Sequence, residues 1–187
     1  MGFLRHIRAL PLRLRCALVL LTACGLAGIS APVSEYQLKA VFLFNFAHFV
    51  EWPAAALPHD NAPFVIGVLG NDPFGRDLDD VVHGEEVKQH PLAIERYATV
   101  ADIRSCQILF IPGAEVPHLE GAVSMLQQRS VLTVTDVEGP LPRGVIIGLF
   151  RQDNRIRMRI DLQAAKASNL TISSKLSRAA EIVGSGS

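Results

Sequence analysis

The chain has 187 residues, of which 18 are basic and 18 acidic, so its formal net charge is zero. This balance hides an asymmetry: residues 32–141 carry 6 basic and 15 acidic side chains, whereas residues 142–187 carry 8 basic and 3 acidic ones. Residues 32–187 taken together are acidic, which argues against nucleic-acid binding because such binding requires a concentrated basic surface. The basic C-terminal part instead fits one side of a charge-complementary protein interface.

The first 30 residues have the pattern of a bacterial secretory signal. Four arginines precede an apolar run from Cys16 to Ile29, and small residues and Pro32 follow it. Glycine, serine and threonine dilute the run, so it falls short of the roughly 20 strongly apolar residues of a membrane-spanning helix. We therefore expect a cleaved signal and a periplasmic protein, with an uncleaved anchor as the alternative.

The cleavage position has two interpretations. Residues 21–24 have the form of a lipobox, which predicts a lipid-modified Cys24 and a membrane-tethered protein. Ordinary cleavage after Ala27 or Ser30 predicts a soluble product instead. Only Cys106 certainly survives maturation, so we expect no internal disulfide and a domain held together by its hydrophobic core.

The residues that follow predict a single α/β domain over 34–183 and a disordered tail over 184–187. A Phe-rich helix extends from Ser34, which caps it, to Trp52, and Pro53 ends it. This helix is apolar on nearly every side, so we expect it to be buried on several sides or to dock against another surface.

Short apolar strands then alternate with helices, as is typical of βαβ units in a mostly parallel sheet. The predicted elements, in chain order, are strand 64–69, helix 76–82, strand 92–96, helix 100–103, strand 107–111, helix 116–128 and strand 131–135. This pattern predicts three layers, with the sheet between helices.

The pattern changes in the C-terminal part, where two strands predict an antiparallel hairpin. The elements expected here are strands 145–150 and 155–162, joined by residues 151–154, and helical segments over 163–168 and 173–183. The second strand alternates apolar and charged residues, so one face packs on the core and the other meets water.

No catalytic, cofactor or metal-binding constellation is visible, because the histidines are scattered singly and lack metal-ligand spacing. Gly70–Gly75 follows a strand, but it lacks the signatures of phosphate and dinucleotide loops and instead predicts a tight turn that caps the next helix. Asp136 has the position of a receiver-domain phosphoacceptor but lacks the acidic cluster of such a site. We therefore expect a protein that is not an enzyme.

Two groups of residues are candidates for contact with a partner protein. The first group lies in the Phe-rich helix and comprises Phe42, Phe46, His48, Phe49 and Trp52, because aromatic residues dominate interface affinity. The second group comprises Arg155, Arg157 and Arg159, whose charges repel one another unless acidic groups on this or another chain neutralise them. The alternatives are a buried helix face and a solvated sheet face.

The segment YQLKAVFLFNFAHFVEWP, residues 36–53, resembles the opening motif of the YfiR-like family of periplasmic proteins. The similarity continues, in the same order, through VLGNDPFG (68–75), CQILFI (106–111), VLTVTD (131–136), IRMRIDL (156–162) and ASNLTISSKL (167–176). It spans essentially the whole chain that follows the secretory signal.

The resemblance implies a dimeric, non-enzymatic regulator that binds the periplasmic part of an inner-membrane diguanylate cyclase and holds it inactive. Release under envelope or redox stress then raises cyclic di-GMP; a sensor kinase is an alternative partner. Many relatives carry a first-strand cysteine that pairs with the one matching Cys106, but here the strand reads Ile66-Gly67-Val68. The alternative function is a small-ligand-binding module that uses the loops near Gly70–Gly75 and Pro112–Ala114.

Overall fold

The computed structural model describes residues 33–126 and 129–184. The predicted secretory signal, Cys24 and its lipobox lie outside the described residues, as do residues 185–187 of the predicted tail. The signal, the lipid anchor, the tail and the domain bounds derived from them therefore stay predictions.

The longer helices and strands follow one another in the predicted order. The helices are α1 (Glu35–Phe49), α2 (Asp77–Val82), α3 (Val116–Leu126), α4 (Leu162–Ala167) and α5 (Ser174–Arg178). The strands are β1 (Val50–Glu51), β2 (Phe64–Leu69), β3 (Glu86–Val87), β4 (His90–Tyr97), β5 (Ile108–Ile111), β6 (Leu132–Thr135), β7 (Ile147–Gln152), β8 (Arg155–Asp161), β9 (Thr171–Ile172) and β10 (Glu181–Val183). Short 3-10 turns occupy Ala54–Ala56, Val100–Asp102 and Gly113–Glu115. The short strands β1, β3, β9 and β10 were not predicted.

Eight strands form one sheet in the order β10-β8-β7-β6-β5-β2-β4-β3. Neighbouring strands are parallel from β4 through β2, β5 and β6 to β7, and β10 is parallel to β8. The pairs β7–β8 and β3–β4 are antiparallel. The predicted α/β class, with a mostly parallel sheet and a C-terminal antiparallel hairpin, is therefore confirmed.

The hairpin turns through two residues, Asp153 and Asn154, because Gln152 is paired with Arg155. Both turn residues have positive φ angles, 49° and 59°. These angles are typical of the type I′ turn, which matches the twist of antiparallel strands and favours Asn and Asp.

The start of α1 agrees with the sequence, but its end does not. The Ser34 side chain accepts the Gln37 backbone N–H at 3.0 Å, and the Gln37 side chain accepts the Ser34 N–H at 2.8 Å, which is a complete capping box. The helix ends at Phe49, before the predicted Trp52, because Val50 and Glu51 pair with β9.

The C-terminal segment also differs from its prediction, which made residues 173–183 helical. The helix ends at Arg178, and Glu181–Val183 form β10 beside β8 at one edge of the sheet. Two consecutive β-branched residues, Ile182 and Val183, favour a strand over a helix. The sheet therefore has an additional edge strand, which the helical pattern of the preceding residues did not indicate.

Buried side chains form two clusters on opposite faces of the sheet. In β5, Ile108 and Phe110 belong to one cluster, and the alternating Leu109 and Ile111 belong to the other. The first cluster includes the inward side chains of α1, and the second includes those of α3. The arrangement of all elements in three complete layers stays a prediction.

Candidate functional site

Of the contact residues predicted in the Phe-rich segment, some lie in the core and others lie at the surface. Phe46 is fully buried, and Trp52 is only 5% exposed. Phe42 and Phe49 are half-buried, and His48 is exposed. In this conformation a partner protein has direct access to Phe42, His48 and Phe49, whereas Phe46 and Trp52 lie in the core.

The outward side of α1 carries an apolar stripe, and only part of it belongs to the predicted contact residues. Leu38 and Val41 are 42% and 43% exposed. With Phe42, Asn45 and Phe49 they occupy an arc of about 100° on the helix surface. We call these five residues the α1 ridge. Because α1 is apolar on nearly every side, its sequence does not show which side faces the solvent.

A buried ionic cluster fixes the N-terminal half of α1 against the sheet. Lys39 Nζ lies 2.6 Å from Asp136 Oδ2 and 2.6 Å from Glu35 Oε1. The Tyr36 hydroxyl donates to Asp136 Oδ2 at 3.1 Å, and the Gly113 backbone N–H donates to Asp136 Oδ1 at 2.7 Å. The side chains of Lys39 and Asp136 are each only 4% exposed. Asp136, which has the phosphoacceptor position, is thus bonded within the protein.

Two side chains of this cluster, Lys39 and Tyr36, have pKa values raised by their surroundings. Burial alone lowers the pKa of Lys39, but hydrogen bonds to Asp136 and Glu35 raise it above its ordinary value. Burial, with the negative charge of Asp136, raises the pKa of Tyr36. Neither group changes its charge near neutral pH, so neither suits general acid–base chemistry there.

The protein's own carboxylates occupy the loops that a small-ligand module would use. In the sheet, β4 lies on one side of β2, and the next strand along the chain, β5, lies on the other side of β2. The strand order therefore reverses between β2 and β5, and the expected ligand crevice lies at the carboxyl ends of these two strands. There Asn71 donates its backbone N–H to Glu115 Oε1 at 3.3 Å. A Cβ added to Gly70 would lie 2.2 Å from the Glu115 carboxyl carbon. Glu115 thus fills the space beside this turn.

The Gly70–Gly75 turn is held by side-chain contacts of its own. Asp72 Oδ1 accepts the Phe74 backbone N–H at 2.8 Å, as expected for a tight turn. Arg96 pairs with Asp72 at 2.7 Å and with Asp79 of α2 at 2.5 Å. The turn does not cap α2, contrary to prediction, because α2 begins after Arg76 without a side-chain cap.

The charged face of β8, here called the arginine face, consists of Arg155, Arg157 and Arg159, and only part of it is neutralised. Arg159 Nε lies 3.1 Å from Glu181 Oε2, and Arg159 Nη1 donates to the Gly139 carbonyl at 2.7 Å. Arg155 and Arg157 are exposed and form no ion pair with any residue in 33–126 or 129–184. Two neighbouring cations therefore face the solvent without a counter-charge from the described part of the chain.

A groove of about 1230 Å³ lies beside Arg159. The loop Glu138–Arg143 and residues of β7, β8 and β10 line it. One of its walls is Phe150, whose ring centroid lies 3.8 Å from the Arg159 guanidinium carbon in a cation–π contact. The arginine face therefore continues into a concave surface that combines aromatic and charged groups.

Cys106 is buried beside Tyr97, and burial raises the pKa of its thiol to about 12. A protonated, buried thiol reacts slowly, so we expect negligible modification of Cys106 by a disulfide reagent at about pH 8 until the protein unfolds. The stabilisation from keeping this thiol protonated is present below about pH 9 and is lost as the pH rises towards 12.

This expectation is checked by timing thiol release from the native protein and from the protein in guanidinium chloride. The Cys106→Ala variant is the control, because it identifies any signal that comes from another cysteine. Rapid labelling of the native protein that disappears in Cys106→Ala would contradict a buried, inert thiol.

Residues 33–126 and 129–184 contain neither a candidate metal-binding cluster nor a candidate membrane-spanning helix. No group of three His, Cys, Asp or Glu residues there is arranged to hold a metal ion. Among the same residues, no helix has the length and apolar character required to cross a membrane.

Comparison with protein families gives a match that covers most of the chain. A family model described as YfiR/HmsC-like matches residues 36–181, which is well over half of the chain. The comparison with curated proteins gives no match. The matched range contains α1 and the buried cluster at Asp136, except for Glu35, and all of the arginine face. The chain therefore belongs to the YfiR/HmsC-like family of periplasmic regulators.

Proposed function

We propose that this protein is a non-enzymatic regulator that binds the periplasmic part of an inner-membrane diguanylate cyclase and represses it, thereby controlling cyclic di-GMP. Family membership supports the regulatory role and the periplasmic location. A sensor kinase is the alternative target. In this proposal the protein acts as a homodimer, either free in the periplasm or tethered through Cys24.

The arginine face is the observation that carries the proposal of a protein partner. Arg155 and Arg157 are two residues apart on one strand, so their side chains project from the same face of the sheet. Like charges held side by side are unfavourable, and an acidic partner surface removes that cost while steering the encounter. We therefore assign this face, with the adjoining groove, to the signalling enzyme.

The alternative function, a periplasmic small-ligand-binding module, has less support. Glu115 lies against the turn after β2, and Asp136 accepts the Gly113 N–H after β5. An anionic ligand at this edge would have to displace one of these carboxylates. Thermal-shift screening separates the two functions, because a specific ligand raises the melting temperature of the protein.

We expect that reversing the charge of the arginine face abolishes repression while leaving the fold intact. In the native bacterium, deletion of the gene should raise cyclic di-GMP, and the wild-type gene should restore the low level. The double variant Arg155→Glu/Arg157→Glu should not restore it, because losing two interfacial charge contacts weakens binding by roughly ten- to a hundredfold. Cyclic di-GMP is measured by mass spectrometry, and the bound enzyme by co-purification from membranes.

The matched control is Arg76→Glu/Arg104→Glu, which makes the same change in net charge at two exposed arginines outside β8. This control should restore repression. Unchanged cyclic di-GMP after gene deletion would contradict the cyclase assignment. Co-purification of a histidine kinase in that situation would support the sensor-kinase alternative.

A further inference from the structure

One edge of the sheet lies open along β4. On its inner side, β4 pairs with β2 over its last six residues. On its outer side, β3 pairs only with His90 and Pro91, and no strand among residues 33–126 and 129–184 continues beyond β3. Burial follows this difference, since all six residues of β2 are buried whereas only one of the eight in β4 is buried. Most of β4 is therefore an edge strand.

Two residues of this edge present unpaired backbone groups. The Leu92 N–H points outwards, because it donates to the Glu85 carbonyl at 2.9 Å. Backbone direction alternates along a strand, so the N–H and C=O groups of Ile94 and Arg96 also point outwards. Among the residues that the structure describes, these groups have no backbone partner on that side. Such a row of free donors and acceptors is a template on which an extended peptide can pair.

The surroundings of this edge are acidic. Residues 71–97 carry 7 acidic and 3 basic side chains. One of the basic three, Arg96, is neutralised by Asp72 and Asp79 at 2.7 Å and 2.5 Å. Three exposed carboxylates at the edge form no ion pair within residues 33–126 and 129–184: Glu85, Glu86 and Glu95. Glu95 accepts the Tyr97 hydroxyl at 2.7 Å, which leaves its negative charge in place. The open edge therefore attracts basic groups.

The charges and the strand order exclude a second copy of this chain as the occupant. Pairing of β4 with another β4 would bring the same carboxylates of two copies together, which is unfavourable. The basic strand β8 already has β7 and β10 on its two sides, so its backbone is not available for pairing. Acidic side chains at an open edge also reject acidic strands. An extended basic segment of a different protein satisfies both the backbone groups and the charges.

We infer that the outer edge of β4 binds an extended basic segment of another protein, which adds to the sheet in line with β3. Ile94 and Arg96 supply the backbone hydrogen bonds. Glu85, Glu86 and Glu95 select lysine or arginine side chains. In the strand order, β4 is second from one end and β8 is second from the other, so a bound segment leaves the arginine face free. The inference does not rest on enzyme repression, and either proposal can fail without the other.

Hydrogen exchange followed by NMR tests the backbone pairing in the wild-type protein purified after export. In the free protein, the amides of Ile94 and Arg96 should exchange at least about tenfold faster than those of Ala93 and Glu95, which face β2. Saturation with a capped hexapeptide of alternating lysine and valine should slow the Ile94 and Arg96 amides by about tenfold or more. Unchanged exchange at saturation would overturn the inference, since charge attraction alone leaves these amides in water.

Isothermal titration calorimetry tests which features of the peptide are recognised. A capped hexapeptide of alternating glutamate and valine should not bind, because it places like charges at the edge. The lysine–valine peptide methylated at every backbone nitrogen should not bind either, because it keeps its charge and loses every N–H donor. Binding of either peptide as tight as that of the parent would overturn the inference. Failure of the parent peptide to bind at about 1 mM would also overturn it.

Charge reversal in the protein locates the site. Glu85→Lys/Glu86→Lys should raise the dissociation constant of the lysine–valine peptide about tenfold, because two attractive charges become repulsive. Both side chains are exposed, so the fold should be retained by circular dichroism. The matched control is Glu51→Lys/Glu120→Lys, at two exposed glutamates outside this edge, and it should change the constant by less than about twofold. Equal effects of the two double variants would overturn the site, since net charge alone would then attract the peptide.

Discussion

Replacing Asp136 by alanine should lower the free energy of unfolding by about 3–5 kcal/mol, because it removes the buried carboxylate that pairs with Lys39 and leaves only the more exposed Glu35 beside that charge. Asp136 pairs with Lys39 at 2.6 Å, and both side chains are 4% exposed. The substitution also removes the acceptor for the Tyr36 hydroxyl and for the Gly113 backbone N–H. Little water reaches these groups to replace the lost interactions.

The unfolding free energy is measured by urea titration of the fluorescence of Trp52, which is the only tryptophan in the chain. The control is Asp80→Ala, since Asp80 is exposed and its contact with Arg76 is 4.0 Å long. This control should change stability by less than about 0.5 kcal/mol. An Asp136→Ala variant as stable as the control would contradict the buried ion pair.

A double variant separates the loss of a pair from the loss of one partner. Lys39→Met/Asp136→Leu removes both charges, so it should be less destabilised than Asp136→Ala. The comparison bears on function because Lys39 and Tyr36 hold the part of α1 from which the ridge begins. A loosened cluster should therefore also disturb the exposed surface of the α1 ridge.

Most of the fold follows from local patterns in the sequence. Strand 64–69 is an uninterrupted apolar run and is found at the predicted residues. Ser34, with Gln37 three residues later, fixes the start of α1. The errors occur where distant pairing decides the structure, since β1 depends on β9 and β10 depends on β8. No local pattern indicates which distant strand is available.

The candidate surfaces also differ in whether a local pattern or a distant contact determines them. The arginine face was predictable because a strand has a period of two, so alternation alone assigns Arg155 and Arg157 to the wet side. The buried cluster was not, because Lys39 and Asp136 are 97 residues apart and a lysine in a helix usually faces water. Among the α1 aromatics, neighbours elsewhere in the fold decide which side is buried.

Replacing Trp52 by alanine should destabilise the protein by about 3–5 kcal/mol, because it empties a large aromatic site in the core. The Trp52 ring packs edge-on against Phe64 with a centroid distance of 5.0 Å. Its Nε1 donates to the Gln107 carbonyl at 3.2 Å. The Gln107 side chain in turn bonds to Val65 N and to the Ala56 carbonyl, at 2.8 Å and 3.1 Å. Trp52 therefore joins the segment after α1 to the sheet.

Trp52→Phe tests which part of this interaction matters, because it keeps an aromatic ring and loses only the indole donor and some volume. We expect it to cost about 1–2 kcal/mol, measured by circular dichroism during urea unfolding since the fluorophore is removed. A partner contact gives the opposite pattern, in which Trp52→Ala abolishes repression without loss of stability. Because Trp52 is 5% exposed, we expect any loss of repression in Trp52→Ala to follow the loss of folded protein. Lowering the temperature, which increases the folded fraction of Trp52→Ala, should then restore repression.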